Sequence, residues 1–283
     1  ADLVYVQTTG PKAPFVLAAA RLLRKRTVLY YHEPCTLREK LEKRDRLGYS
    51  LAVKAVQMAE FMLATTVLVS NPAVRDKLRS VHPILARLLR KRIVIAPLMI
   101  PDEFSGDRPA VKTMRPTLLF LGRLLPDQRQ FRLFAQLSAK LTDIDFVVLT
   151  RNKLPSVDGA KLNVMHEAGF FSEDQRREAL AHADVVWTPY DVRYNQSGVI
   201  PDALSAGCGV VVSDLELDQF LLDAPVSHVL LVNRPVDVEA LGAFARDMWQ
   251  RRDWRQDLAR RYYLEVHGAS GQLRVVSEIL HPA

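Results

Sequence analysis

ADVVWTPYDVRYNQSGVIPDALSAGCGVVVSD, residues Ala183 to Asp214, passes from strand to polar loop to helix and back to strand in one short stretch. The apolar run Val185 to Trp187 stops at Thr188 and Pro189, and a loop carrying Gln196, Ser197 and Gly198 follows. Pro201 then falls in a first helical turn, where its missing N–H costs nothing, and Asp202 shares that turn. Gly207 and Gly209 close the helix before the buried strand Val210 to Val212. Backbone N–H groups at such a helix start carry partial positive charge and suit a diphosphate.

Working outward, short apolar runs recur between helical patterns along the whole chain. Strands are expected near Leu3 to Gln7, Thr27 to Tyr31, Thr66 to Ser70 and Arg92 to Ala96. Others follow near Thr117 to Leu121, Phe146 to Leu149, Leu162 to Met165 and His228 to Val232. Helical spacing marks Phe15 to Leu23, Tyr49 to Ala64, Phe131 to Leu141, Ser172 to His182, Val236 to Gln250 and Arg255 to Val266. Ser172 with Gln175 three residues on forms a capping box. This alternation predicts an α/β protein with parallel sheets covered by helices on both faces. Pro97 to Arg115 is rich in proline and acidic residues and reads as a linker. Two Rossmann-like domains are therefore expected, residues 1–108 and 109–283.

The composition of the 283 residues, 48% hydrophobic and 25% charged, is that of a globular protein. No apolar run approaches the roughly 20 residues of a membrane span. Cys35 and Cys208 lie far apart and have no metal-ligand spacing, which points to a reducing, cytoplasmic compartment without structural zinc. The net charge of +7 divides into +11 for residues 1–100 and −4 for residues 101–283. Clusters at Arg21, Arg24, Lys25 and Arg26, at Arg75, Lys77 and Arg79, and at Arg87, Arg90, Lys91 and Arg92 fit either solvated helix faces or an anionic membrane face. No aromatic-interleaved basic pattern accompanies them, which disfavours nucleic acid. The chain opens inside a strand pattern, so the first strands of its sheet are expected to be missing and an apolar edge exposed.

Gly122 and Arg123 directly follow the strand Thr117 to Leu121, at the end where open parallel sheets bind ligands. A guanidinium there can grip phosphate in a fork, and Arg129 supplies a second cation. Asp143 to Asp145 spells D-x-D, a metal-site pattern elsewhere, but it precedes a strand and reads as loop chemistry.

TLLFLGRLLPDQ, the Gly169-Phe170 loop, ADVVWTPY and SGVIPDALSAGCGVVVSD, in that order, resemble the nucleotide-sugar domain of retaining GT-B glycosyltransferases, nearest the family-4 group. DLVYVQ, TVLYYHEP, ATTVLVSNPAVRDKL and RIVIAPLMIPDEF resemble the later part of that family's N-terminal acceptor domain. The resemblance implies the GT-B fold, two Rossmann-like domains facing across a cleft. It also implies transfer of a sugar, with anomeric retention, from a nucleoside diphosphate to a hydroxyl of a cell-surface glycan or glycolipid. His32 would stand by the donor sugar, and Arg123 and Arg129 would stabilise the departing diphosphate. Gly122, Gly169, Phe170, Tyr194, Asn195, Gln196, Ser197, Gly198, Val199 and Asp202 would line the donor site, Asp202 on the ribose hydroxyls. No metal or cofactor beyond the sugar nucleotide is implied. The expected location is the cytoplasm, peripheral on the membrane's inner face.

Two positions depart from the family pattern. Tyr194 stands where a first carboxylate is usual, and Gln128 replaces a lysine for which Arg129 is the substitute. These departures, with the expected absence of the first strands, keep open a non-catalytic nucleotide-binding or scaffold module; within the enzymes of this fold the alternative is a sugar-nucleotide epimerase.

Overall fold

The computed structural model describes residues 2–6, 12–30, 47–70, 72–81, 83–88, 92–96, 113–124, 128–189, 198–213, 226–232 and 235–280. The chain divides into two compact units. The first holds residues 1–97 and 272–283, and most of the remainder forms the second.

In the first unit, β1 (Leu3–Val6), β2 (Arg26–Tyr30), β3 (Thr66–Val69) and β4 (Arg92–Ile95) form a parallel sheet in the order β1-β2-β3-β4. α1 (Ala13–Leu22), α2 (Leu47–Leu63), α3 (Pro72–Val81) and α4 (Pro83–Leu88) lie between the strands in sequence. Alternate strand residues point to opposite faces. Leu29, Val67 and Val69 pack with Phe61 of α2 and with Val74 and Leu78 of α3. Val28, Tyr30, Leu68 and Val94 pack instead with Val275 and Ile279, near the C-terminus. The boundary expected from sequence assigned residues 109–283 to one domain, whereas residues 272–283 belong to the first unit. The cause is this apolar packing, to which Arg92 adds an ion pair with Glu278. Among the described strands β1 is an edge, and neighbouring α1 exposes Phe15, Val16 and Leu22, with Leu23 exposed directly after it.

The second unit contains β5 (Thr117–Gly122), α5 (Arg129–Lys140), β6 (Asp145–Thr150), β7 (Asn163–His166), α6 (Glu173–His182) and β8 (Val185–Trp187). α7 (Val199–Ser205), β9 (Gly209–Val212), β10 (Val229–Leu231), α8 (Val238–Gln250) and α9 (Arg252–Tyr262) follow. A π-helical turn, Tyr263–His267, leads to α10 (Ala269–Leu280), so the expected helix Arg255 to Val266 ends early. All six strands are parallel, in the order β10-β9-β8-β5-β6-β7.

Both faces of this sheet are buried. Leu118, Phe120, Phe146, Val148 and Trp187 meet Phe131 and Phe134 of α5 and Leu241 and Met248 of α8. Leu119, Leu121, Leu149, Val210 and Val212 meet Leu180 of α6 and Ile200 and Leu204 of α7. Aromatic rings cross edge to face, with Phe134 centred 5.0 Å from Phe146 and Phe120 5.5 Å from Phe131. The capping box forms as its sequence indicates: Gln175 N–H donates to Ser172 Oγ, and Ser172 N–H donates to Gln175 Oε1. Of the expected linker, only its last residues, from Thr113, lie within the described residues. No described helix is long and apolar enough to cross a membrane.

Candidate nucleotide site

Numbered within the second unit, the strands run 3-2-1-4-5-6, with the order reversing between β5 and β8. Neighbouring strands whose connections leave to opposite sides open a crevice at their C-terminal ends, the usual ligand position in such sheets. Gly122 ends β5 at that point with φ 116°, a conformation that strains any side chain. A Cβ on Gly122 would stand 3.7 Å from Val199 Cγ2, so the strand end abuts the first residue of α7.

α7 is short, and its end is well determined. Gly207 takes the left-handed conformation and donates to the Leu204 carbonyl, while Cys208 N–H donates to the Ala203 carbonyl. That pair of bonds is a Schellman closure, and it turns the chain directly into β9. Asp202, one turn into α7, is 4% exposed. Its carboxylate pairs with the Arg176 guanidinium of α6, which also reaches Glu173 at 3.6 Å. Burial lowers the Arg176 pKa from its ordinary value, Glu173 opposes that shift, and the nearby positive charge of Arg151 reinforces it. Asp202 was expected on ribose hydroxyls; here Arg176 already engages it.

Three loops meet beyond the ends of β5, β6 and β7. Leu124 N–H donates to Asn152 Oδ1 at 2.9 Å, and Arg151 N–H donates to the Gly122 carbonyl at 3.4 Å. Gly169 N–H donates to the Arg151 carbonyl at 3.0 Å, and Ala168 N–H to the Asn152 carbonyl at 3.3 Å. Gly169 has φ 135°, again a glycine conformation. Phe170 beside it is 84% exposed. The Arg151 guanidinium lies 4.7 Å from the Phe170 ring centre and 5.2 Å from that of Phe171.

The structure thus gathers Gly122, Arg123, Arg129, Gly169, Phe170, Gly198, Val199 and Asp202 on elements at one edge of the second sheet. Arg123 is exposed and immediately follows β5, and Arg129 is the exposed first residue of α5. His32, Tyr194, Asn195, Gln196 and Ser197 lie outside the described residues. Sequence reasoning missed Arg151, Asn152 and Arg176. The first two directly follow the run FVVLT, and the rule that ligands gather at strand C-termini would have pointed to them. Asp143 and Asp145 sit at the opposite, N-terminal end of β6, where Asp143 accepts a 2.7 Å bond from Arg246 Nε.

No family model and no curated protein sequence matches the chain. Solved structures do match it. The HepE protein of Anabaena in complex with UDP superposes with a TM-score of 0.68 at 12% identity, over 99% of this chain and 78% of its own. Sucrose-phosphate synthase of Thermosynechococcus elongatus gives 0.65 at 13% identity, over 99% and 73%. WaaG, a glycosyltransferase involved in lipopolysaccharide biosynthesis, gives 0.57 at 16% identity, over 95% and 81%. At such identities the likeness shows the fold, and the fold is that of the GT-B glycosyltransferases.

Proposed function

We propose that this chain is a retaining glycosyltransferase that takes its sugar from a nucleoside diphosphate. The observation that carries the reading is the crevice between β5 and β8, with Gly122 against Val199 and Asp202 one turn further along α7. Fold likeness to the UDP complex of HepE supports a nucleoside-diphosphate ligand at this edge.

In this reading the diphosphate rests by Gly122 and Gly198, and Arg123 and Arg129 neutralise the charge that builds as the sugar departs. Such fixed charge counts for more in a shielded site than in water, because it needs no reorganisation during the reaction. The transition state is oxocarbenium-like. Among the described residues, the carboxylates at this edge are already engaged: Asp202 and Glu173 with Arg176, and Glu167 with the Leu154 N–H. This favours deprotonation of the acceptor by an oxygen of the leaving phosphate on the same face, which retains configuration and needs no metal. We assign the acceptor to a cell-surface glycan or glycolipid, with the protein peripheral on the inner face of the membrane. The exposed Phe15, Val16, Leu22 and Leu23 among Arg21, Arg24 and Lys25 support that assignment.

The pairing of Asp202 with Arg176 also favours a second reading, a module that binds nucleotide without turnover. Incubating the full chain with nucleotide sugars and a panel of alkyl glycosides, followed by NMR of the product anomers, separates the readings. Retained configuration, with Arg123→Ala lowering kcat/KM about 100-fold, supports transfer. Binding without product supports the module. An altered sugar released with no acceptor consumed identifies an epimerase.

A further inference from the structure

The loops after β6 and β7 hold a cation that no described carboxylate neutralises. Arg151 has no ion pair among the described residues, although Arg176 nearby has two. Instead the Arg151 guanidinium rests over the rings of Phe170 and Phe171. An aromatic face attracts a guanidinium but leaves its N–H edge unsatisfied. Backbone bonds fix the Arg151 main chain on both sides, through Gly122 on β5 and Gly169 on the next loop. Phe170 remains 84% exposed, so the guanidinium it holds lies at the protein surface.

In sheets of this strand order, the residue that ends the second strand faces the nucleoside half of the ligand. β6 is that second strand, and Arg151 directly follows it. We propose that Arg151, held by Phe170 and Phe171, is the base-reading residue of the donor site and selects a carbonyl-bearing base, uracil or guanine, over adenine. This rests on the nucleotide-site reading above.

The selectivity follows from donor and acceptor chemistry. Guanidinium carries five N–H donors and no acceptor. Uracil and guanine offer carbonyl oxygens to such an edge, whereas adenine offers an amino donor beside its ring nitrogens. A donor set against a donor leaves both unsatisfied, and that penalty discriminates more strongly than a missing contact. Phe170 and Phe171 hold the guanidinium in place, so Phe170 acts on the base through Arg151.

Isothermal titration of the full chain with UDP, GDP, ADP and inorganic pyrophosphate tests the assignment. The wild type should bind UDP or GDP at least about tenfold more tightly than ADP. Arg151→Ala should bring the three nucleotides within about twofold of one another, with pyrophosphate affinity unchanged, and Arg151→Lys should fall between. Phe170→Ala, which removes one of the two rings that hold the guanidinium, should reduce the preference in part. The proposal is overturned if the wild type favours no carbonyl-bearing base or Arg151→Ala keeps the preference. It is also overturned if Arg151→Ala weakens pyrophosphate as much as nucleotide, since Arg151 then holds phosphate. A wild type that binds none of the four ligands overturns the nucleotide-site reading itself.

Discussion

The guanidinium of Arg176 on α6 closes on the buried carboxylate of Asp202 on α7, joining two helices on one face of the second sheet. Neither charge is well hydrated, so each depends on the other. Replacing one partner strands the other, at a cost of about 3 kcal/mol. Arg176→Met should therefore lower the urea midpoint strongly, and adding Asp202→Asn in the same chain should recover much of the loss. Additive effects of the two substitutions would show that the charges do not interact.

Gly122 should tolerate no side chain, for a backbone reason. A Cβ there meets Val199 only at ordinary contact distance, but φ 116° is strained for an L residue. Gly122→Ala should cost about 1 to 3 kcal/mol of stability. If thermal unfolding shifts little while nucleotide affinity falls, the strand end has relaxed away from α7 instead.

Asn152 should act on the site without touching substrate. Its side chain accepts from the Leu124 N–H and so holds the turn that carries Arg123. Asn152→Ala should lower nucleotide affinity several-fold, with a stability loss of about 1 kcal/mol. Asn152→Asp keeps the acceptor and should restore part of the affinity. Equal losses in both variants would mean the bond to Leu124 is not what matters.

The pair between Asp143 and Arg246 sets a pH dependence. The hydrogen bond from Arg246 holds the Asp143 carboxyl below the usual aspartate range. The unfolded chain then binds the proton more readily, so the pair's stabilisation is present above the ordinary aspartate pKa and fades as pH falls through the folded value. Urea midpoints of the wild type and Asp143→Asn should differ at neutral pH and converge in acid, and high salt should shrink the gap. A gap that widens in acid would contradict this sign.

Much of the second unit was legible because its strands are buried on both faces and read as unbroken apolar runs, as in TLLFLG and GVVV. The helix before β9 was equally legible from Pro201, Asp202 and Gly207, which carry local rules. What escaped were relationships between residues distant in sequence. Arg176 and Asp202 meet only because α6 and α7 pack on the same sheet face. Val275 and Ile279 show helical spacing, but nothing local says that their partners are Val28 and Leu68. The strand-end rule marked Arg123, yet Arg151 and Asn152 follow β6 in the same way and went unread. Only the strand order shows that β6 adjoins the crevice.

The central claim is that a nucleoside diphosphate binds where β5 and β8 part. Hydrogen exchange of the full chain with and without UDP and GDP measures this directly. The account predicts slowed exchange in residues 122–124, 168–171 and 198–203, reduced or abolished by Arg123→Ala. Protection confined to other segments, or none with either nucleotide at saturating concentration, would contradict it.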